Sequence, residues 1–222
     1  MKAVPENSYS EKMVKMQIIA RGVTDPFVIQ AMKTVPRHFF VEHVEISQAY
    51  GDFPLPIGYG QTISQPYMVA LMTELLNLKK SDCVLEVGTG SGYQTSVLAN
   101  IVSMVYTVER IAPLTQKARR IHCDMGITNI EYKTGDGSVG WAEKAPFNKI
   151  IVTAAAPNII EDLKWQLADR GILVIPVGDY RSYQKLMVVI RRGAFFDVSE
   201  NIGCRFVPLI GHKGFWVKPN DY

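Results

Sequence analysis

At 222 residues, 47% hydrophobic and 20% charged, the chain has room for one sizeable α/β domain with extensions but is short for two full domains. It holds no long uncharged apolar run, which argues against a membrane span, and its polar opening, Met1 to Ser10, lacks a signal-peptide core, so a cytoplasmic location is expected. The net charge of +3 is dispersed in pairs such as Lys79-Lys80, Arg119-Arg120 and Arg191-Arg192, so no nucleic-acid stripe is expected, although mild basicity suits an anionic partner.

The cysteines, Cys83, Cys123 and Cys204, stand far apart, with no CxxC pair. His38 and His43 miss the i, i+4 spacing that would put both on one helical face. Neither a disulfide framework nor a metal site is expected.

Residues 8 to 45 read as helical. Met13, Met16, Gln17 and Ala20 form a loose stripe ending at Gly22, a fitting C-cap. Asp25 and Pro26 start a second helix as N-cap and first residue, Val28, Ala31, Met32 and Val35 form its apolar face, and Pro36 ends it. Residues 46 to 66 read as a polar loop with Pro54, Pro56, Gly58 and Gly60, long enough to suggest function.

From Pro66 helices and apolar strands alternate. Met68, Leu71, Met72 and Leu75 mark a helix, and Cys83 to Val87 a buried strand. A helix from Tyr93 to Ile101 leads to a strand at Met104 to Val108, then a helix at Leu114 to Met125 and a strand at Ile130 to Tyr132. Lys149 to Thr153 is a strand, Ile159 to Leu167 a helix and Gly171 to Val177 the fifth strand. This alternation predicts a doubly wound α/β fold with a mostly parallel sheet. Segments at Lys185 to Ile190, Phe195 to Val198 and Cys204 to Leu209 have no helix between them and are expected to add antiparallel edge strands.

The first buried strand runs directly into Gly88, Thr89, Gly90, Ser91 and Gly92. Glycines permit backbone angles closed to other residues and let a ligand approach the main chain. A dinucleotide loop would carry its third glycine at position 93, where this chain has Tyr93, so the spacing favours a nucleoside cofactor without phosphates; read alone, the loop also fits a tight turn. Glu109 ends the second parallel strand, where doubly wound folds face a ribose, and a carboxylate there accepts from both hydroxyls; an exposed strand-end glutamate is the plainer reading. Gly135-Asp136-Gly137 follows the third strand, with Asp136 suited to an adenine amine and, read alone, to an ordinary turn.

Together these residues, with the run VLEVGTGSGYQT over 84–95, resemble a class I S-adenosylmethionine-dependent methyltransferase. VPRHFF (35–40), PLPIG (54–58), GQTISQP (60–66) and RFVPL (205–209) narrow the resemblance to the protein-L-isoaspartate O-methyltransferase family, over about residues 11 to 215. That resemblance implies a Rossmann-like methyltransferase sheet under an N-terminal helical cap. Its parts would be helices and cap loop over 1–65, a cofactor-binding core over 66–180 and C-terminal strands with the substrate region over 181–222. It also implies methylation of the free α-carboxylate of L-isoaspartyl residues, starting repair through a succinimide, with S-adenosylmethionine as cofactor and S-adenosylhomocysteine as product.

By the same resemblance Ser64 is the catalytic hydroxyl, and Gln61, Thr62, Ile63 and Ser64 line the cofactor pocket with Glu86, the 88–92 loop, Glu109, Arg110, Asp136 and Gly137. Ile57, Val207, Pro208 and Leu209 are assigned to the acceptor side. Tyr67 stands where some family members carry histidine, so no cofactor contact is assigned to it. The expected partners are isoaspartyl peptides and proteins, met by a monomer that binds neither nucleic acid nor membrane. Because damaged sites arise in many contexts, the groove is expected to read peptide backbone and the misplaced carboxylate more than neighbouring side chains. The alternatives are a methyltransferase of this fold with another acceptor, and a peptide-binding homologue without turnover. The chemistry needs no general base, because a carboxylate of pKa about 4 is already a nucleophile at neutral pH.

Overall fold

The computed structural model describes residues 6–216. Helix α1 (Glu6–Met13) continues through a π turn at Val14–Ile18 and a 3-10 turn at Ile19–Arg21 to Gly22, whose N–H closes the end on the Ile19 carbonyl. Helix α2 (Pro26–Thr34) starts as the sequence predicts: Asp25 Oδ1 accepts from the Phe27 and Val28 N–H groups, and Val28, Ala31 and Met32 are buried. Helix does not run on to residue 45. Val35 is extended before Pro36, and after a 3-10 turn at Arg37–Phe40 the chain at 41–45 is irregular.

The expected loop at 46–66 is more ordered than its composition suggests. It holds a short helix, α3 (Ile46–Ala49), and an antiparallel hairpin of β1 (Leu55–Gly58) and β2 (Gln61–Ile63), with Leu55 opposite Ile63. The turn runs through Gly58, Tyr59 and Gly60, all at positive φ, which explains the two glycines. Strands of four and three residues are too short for alternation to be read in sequence.

Then follow α4 (Pro66–Leu75), β3 (Cys83–Val87), α5 (Tyr93–Ala99), β4 (Met104–Glu109), α6 (Ala112–Asp124), β5 (Ile130–Thr134) and β6 (Phe147–Val152). The chain closes with α7 (Glu161–Trp165), β7 (Leu167–Val177), β8 (Gln184–Arg192) and β9 (Phe195–Cys204). The sheet order is β5-β4-β3-β6-β7-β8-β9; the first five strands are parallel, and β8 and β9 are antiparallel at the edge. This is the mostly parallel sheet that the alternation predicts, with its antiparallel C-terminal addition.

Two further expectations need correction. The helix at 159–167 is only Glu161–Trp165, because Leu167 already pairs with Phe147 as the first residue of β7. The segment 204–209 is not a sheet strand. β9 extends to Cys204, and the chain then crosses the carboxyl ends of the strands, where Val207 O accepts from Ala155 N–H and Leu209 N–H donates to Ala155 O. Pro208 sits between these two bonds, at a position whose own N–H the parallel bridge does not use.

Alternation along the strands divides the core. Val84, Val105, Ile151 and Val174 pack with α2, α4 and α5 on one face, while Leu85, Val87, Ile150 and Leu173 pack with Leu163 of α7 on the other. Both faces are covered, as a parallel sheet requires. No helix among the described residues is long and apolar enough to cross a membrane.

The Asp25 cap holds two otherwise orphaned amides at the base of the N-terminal cap. Asp25→Ala is expected to lower stability by about 1 kcal/mol in urea denaturation. An unchanged midpoint would show that the cap contributes nothing.

Candidate functional site

The chain order reverses between β3 and β6: β4 and β5 lie to one side of β3, and β6 and β7 to the other. A crevice opens at such a reversal, at the carboxyl ends of the strands. Here its floor is the turn from β3 into α5. Gly88, Gly90 and Gly92 have φ of +99°, +53° and +90°, angles that an L side chain strains to adopt. Two of the three positions are also packed shut from below. A Cβ on Gly88 would come within 2.3 Å of Thr153 Oγ1, and one on Gly92 within 2.7 Å of His122 Nε2. A Cβ on Gly90 would meet only Ile57 Cδ1, at 3.6 Å, so Ile57 lies over the loop as part of its roof.

Side chains from four elements fix this turn. Thr153, just past β6, donates its hydroxyl to the Gly88 carbonyl at 2.6 Å. Glu109, at the end of β4 and only 7% exposed, accepts from Gly90 N–H at 3.0 Å through Oε2 and from Ile111 N–H at 2.9 Å through Oε1. Each oxygen keeps a further lone pair. His122 of α6 reaches the Gly92 carbonyl at 2.9 Å through Nε2 and the Tyr132 hydroxyl at 2.6 Å through Nδ1; burial lowers its pKa, which favours the neutral ring.

Glu86 lies wholly beneath the loop. Its Oε2 accepts from Thr95 at 2.5 Å and Thr107 at 2.6 Å, and the Thr107 hydroxyl is 2.6 Å from that of Thr89. The Thr89, Thr107 and Glu86 groups thus form one hydrogen-bonded chain that ties the loop to the buried acid. Burial pushes the Glu86 carboxyl up to about 8, against the pull of the two hydroxyls, and Oε1 has no hydrogen-bond partner among the described residues. Glu86 therefore acts on the crevice through Thr89.

Two connected cavities and a slot surround the loop. The inner crevice is lined by Gln61, Thr62, Ile63 and Ser64 of the hairpin, by Gly88, Thr89, Gly90 and Ser91, and by Val69, Met72, Gln94 and Glu109. The slot beside it lies between Val108, Glu109, Arg110 and Gly137 on one side and Ala154, Pro208 and Leu209 on the other. The outer cavity is bounded by Arg21, Tyr67, Tyr180, Arg205 and Pro208. Thr62, Ser64, Thr153, Phe206 and Val207 line both the inner and the outer space.

Most residues predicted from the sequence meet here. Asp136 is placed differently: Oδ1 accepts from Ser138 N–H and Oγ, Oδ2 accepts from His212 N–H at 2.6 Å, and these bonds hold its pKa low against partial burial. Its carboxylate pins the C-terminal segment, and its neighbour Gly137 contributes to the slot. Tyr67 forms part of the outer wall. Sequence reading missed Thr153, Thr107, Phe206 and His122. Thr153 directly follows the strand beside the first glycine strand, so topology would have pointed to it. His122 carries no local signal, because its partner lies 30 residues away.

The inner crevice presents open backbone at Gly90 and a carboxylate at Glu109, and among the described residues no lysine or arginine lines it. The adjoining slot mixes apolar side chains with Gln61, Glu109 and Arg110. These surroundings suit a nucleoside cofactor without phosphates and give no phosphate cradle.

The comparisons agree with that geometry. Residues 8–214 match the family model described as protein-L-isoaspartate(D-aspartate) O-methyltransferase. A Geobacter metallireducens protein named protein-L-isoaspartate O-methyltransferase is 54% identical over 206 residues, covering 92% of this chain and 95% of that protein. One of the same name from Syntrophotalea carbinolica is 54% identical over 210 residues, covering 94% and 96%. A Plasmodium falciparum crystal structure, described as a putative protein-L-isoaspartate O-methyltransferase in complex with S-adenosyl-L-homocysteine, aligns with TM-score 0.77 and 26% identity over 92% of this chain and 98% of that one.

The raised pKa of Glu86 has a stability consequence. The folded state holds a proton that the unfolded chain, with a glutamate of 4.5, releases, so this contribution is full below that value and is lost as pH rises toward 8. Glu86→Gln removes the titration. The stability of the wild type relative to this variant, from denaturation at each pH, is expected to fall steadily from about pH 5 to about pH 8. A difference independent of pH would contradict a protonated Glu86.

Proposed function

The chain belongs to the protein-L-isoaspartate(D-aspartate) O-methyltransferase family, and on that premise we propose that it methylates the free α-carboxylate of L-isoaspartyl residues in damaged proteins. The carrying observation is the junction of the two cavities: Ser64 lines both the crevice suited to the cofactor and the outer space open to an acceptor. When bound, S-adenosylmethionine supplies an electrophilic methyl group carried on sulfur and leaves as S-adenosylhomocysteine.

In this reading the protein's own work is binding, orientation and exclusion of water. Glu109 accepts from the ribose hydroxyls with the lone pairs left by Gly90 and Ile111. The slot beside Val108, Arg110 and Gly137 takes the base, while Gly88 to Ser91 with Gln61, Thr62 and Ile63 take the remainder. Asp136 and Glu86 support the site from behind, the one through the segment at His212 and the other through Thr89.

Ser64 donates one hydrogen bond to the acceptor carboxylate, which orients an oxygen toward the crevice without adding a charge. Phe206 and Val207 close the space around it, with Pro208 and Leu209 continuing the wall. Holding reactants in line and dry lowers a barrier by several kcal/mol. No group has to remove a proton, because the acceptor is already ionised at neutral pH. The backbone nitrogen of the following residue then attacks the carbonyl carbon of the methyl ester, its proton leaves with the methoxy group as methanol and a succinimide forms; hydrolysis of that ring returns part of the material to normal aspartate.

Two variants separate the roles. With an isoaspartyl peptide as acceptor, Ser64→Ala is expected to lower kcat about 10- to 100-fold and leave S-adenosylhomocysteine affinity, measured by calorimetry, almost unchanged. Glu109→Ala is expected to weaken that affinity about 10-fold or more. Equal losses of turnover and affinity in Ser64→Ala would remove Ser64 from its assigned role.

A further inference from the structure

The outer cavity has a charge pattern that the proposed chemistry leaves unused. Among the described residues two cations, Arg21 and Arg205, line it, and no aspartate or glutamate does. Arg21 is already engaged: its Nη1 is 2.7 Å from Asp52 Oδ2 and its guanidinium stacks 3.3 Å from the centre of the Tyr67 ring. Arg205 is exposed and makes no ion pair or hydrogen bond with any described residue. Its backbone is nonetheless fixed, because the next residue, Phe206, donates its N–H to the buried Gln184 Oε1 at 2.8 Å, and the same amide donates to the Asp179 and Ser182 carbonyls. Among the described residues Arg205 is thus an uncommitted cation on an anchored segment, beside residues that line both cavities.

We propose that Arg205 makes the acceptor site charge-selective, so that isoaspartyl peptides with acidic residues beside the damaged position are preferred over those with basic residues there. This rests on the isoaspartyl reading above and adds a charge ranking to a groove otherwise expected to read backbone. Arg205 rather than Arg21 carries it, since Asp52 compensates the charge on Arg21. A single guanidinium in a partly open cavity acts over a few ångströms in high dielectric, so the effect is several-fold and sensitive to salt.

The test uses three isoaspartyl peptides that differ only in glutamate, glutamine or lysine flanking the isoaspartyl residue. For the wild type at low ionic strength, kcat/KM for the glutamate peptide is expected to exceed that for the lysine peptide about three- to ten-fold, and the ratio to shrink toward one in high salt. Arg205→Gln is expected to flatten the ratio, Arg205→Glu to invert it and Arg205→Lys to keep its direction. Each ratio is internal to one enzyme, so a general loss of activity does not imitate the result. Equal rates on all three peptides in the wild type, or a ratio unchanged in Arg205→Glu, would overturn the proposal while leaving isoaspartyl methylation intact. Failure of the wild type on every isoaspartyl peptide would overturn the functional reading and this inference with it.

Discussion

The turn from β3 into α5 must pass three left-handed residues through a space too small for side chains at two of them, and most of the site follows from how that turn is held. Thr153 holds the Gly88 carbonyl, Glu109 the Gly90 amide, His122 the Gly92 carbonyl and the Thr107–Glu86 pair the Thr89 hydroxyl. These anchors come from β3, from β4 and α6 on one side of it, and from the end of β6 on the other, so the loop is shaped by the whole switch point. A preorganised loop spares its ligand the entropy of ordering it.

The floor alone does not make an active site. The hairpin of β1 and β2 brings Gln61 to Ser64 over the crevice, and the segment after β9 brings Phe206 and Val207 to meet it. Both walls depend on contacts distant in sequence: Asp52 receives Arg21 and the Tyr67 amide on the hairpin side, while Gln184 and Ala155 seat the C-terminal segment. The inner crevice and the outer cavity therefore meet at residues supplied by two extensions to a common α/β core.

The core was legible in sequence because its signals are local. An apolar run ending in glycines, a strand closing on Glu109 and alternating helices and strands each declare themselves within a few residues. Asp25 and Pro26 announced their helix in the same way. The hairpin escaped notice because its strands are too short to show alternation, and the apolar letters of residues 205–209 concealed a crossing segment that bridges to Ala155, just past the end of β6. Asp136 and Glu86 were found as residues but not as neighbours: which face of the loop each meets depends on His212 and Thr107, far along the chain. Thr153 and His122 required the sheet order and a helix crossing respectively, which only the tertiary fold supplies.

The central claim is that this crevice and its outer cavity together transfer a methyl group to a misplaced backbone carboxylate. It is tested most directly with methyl-labelled S-adenosylmethionine and two peptides of one sequence, one isoaspartyl and one normal aspartyl. Base-labile label appearing in the isoaspartyl peptide alone is the predicted result. Label in both peptides, or in neither while the cofactor still binds, would contradict it and leave a methyltransferase fold serving a different acceptor.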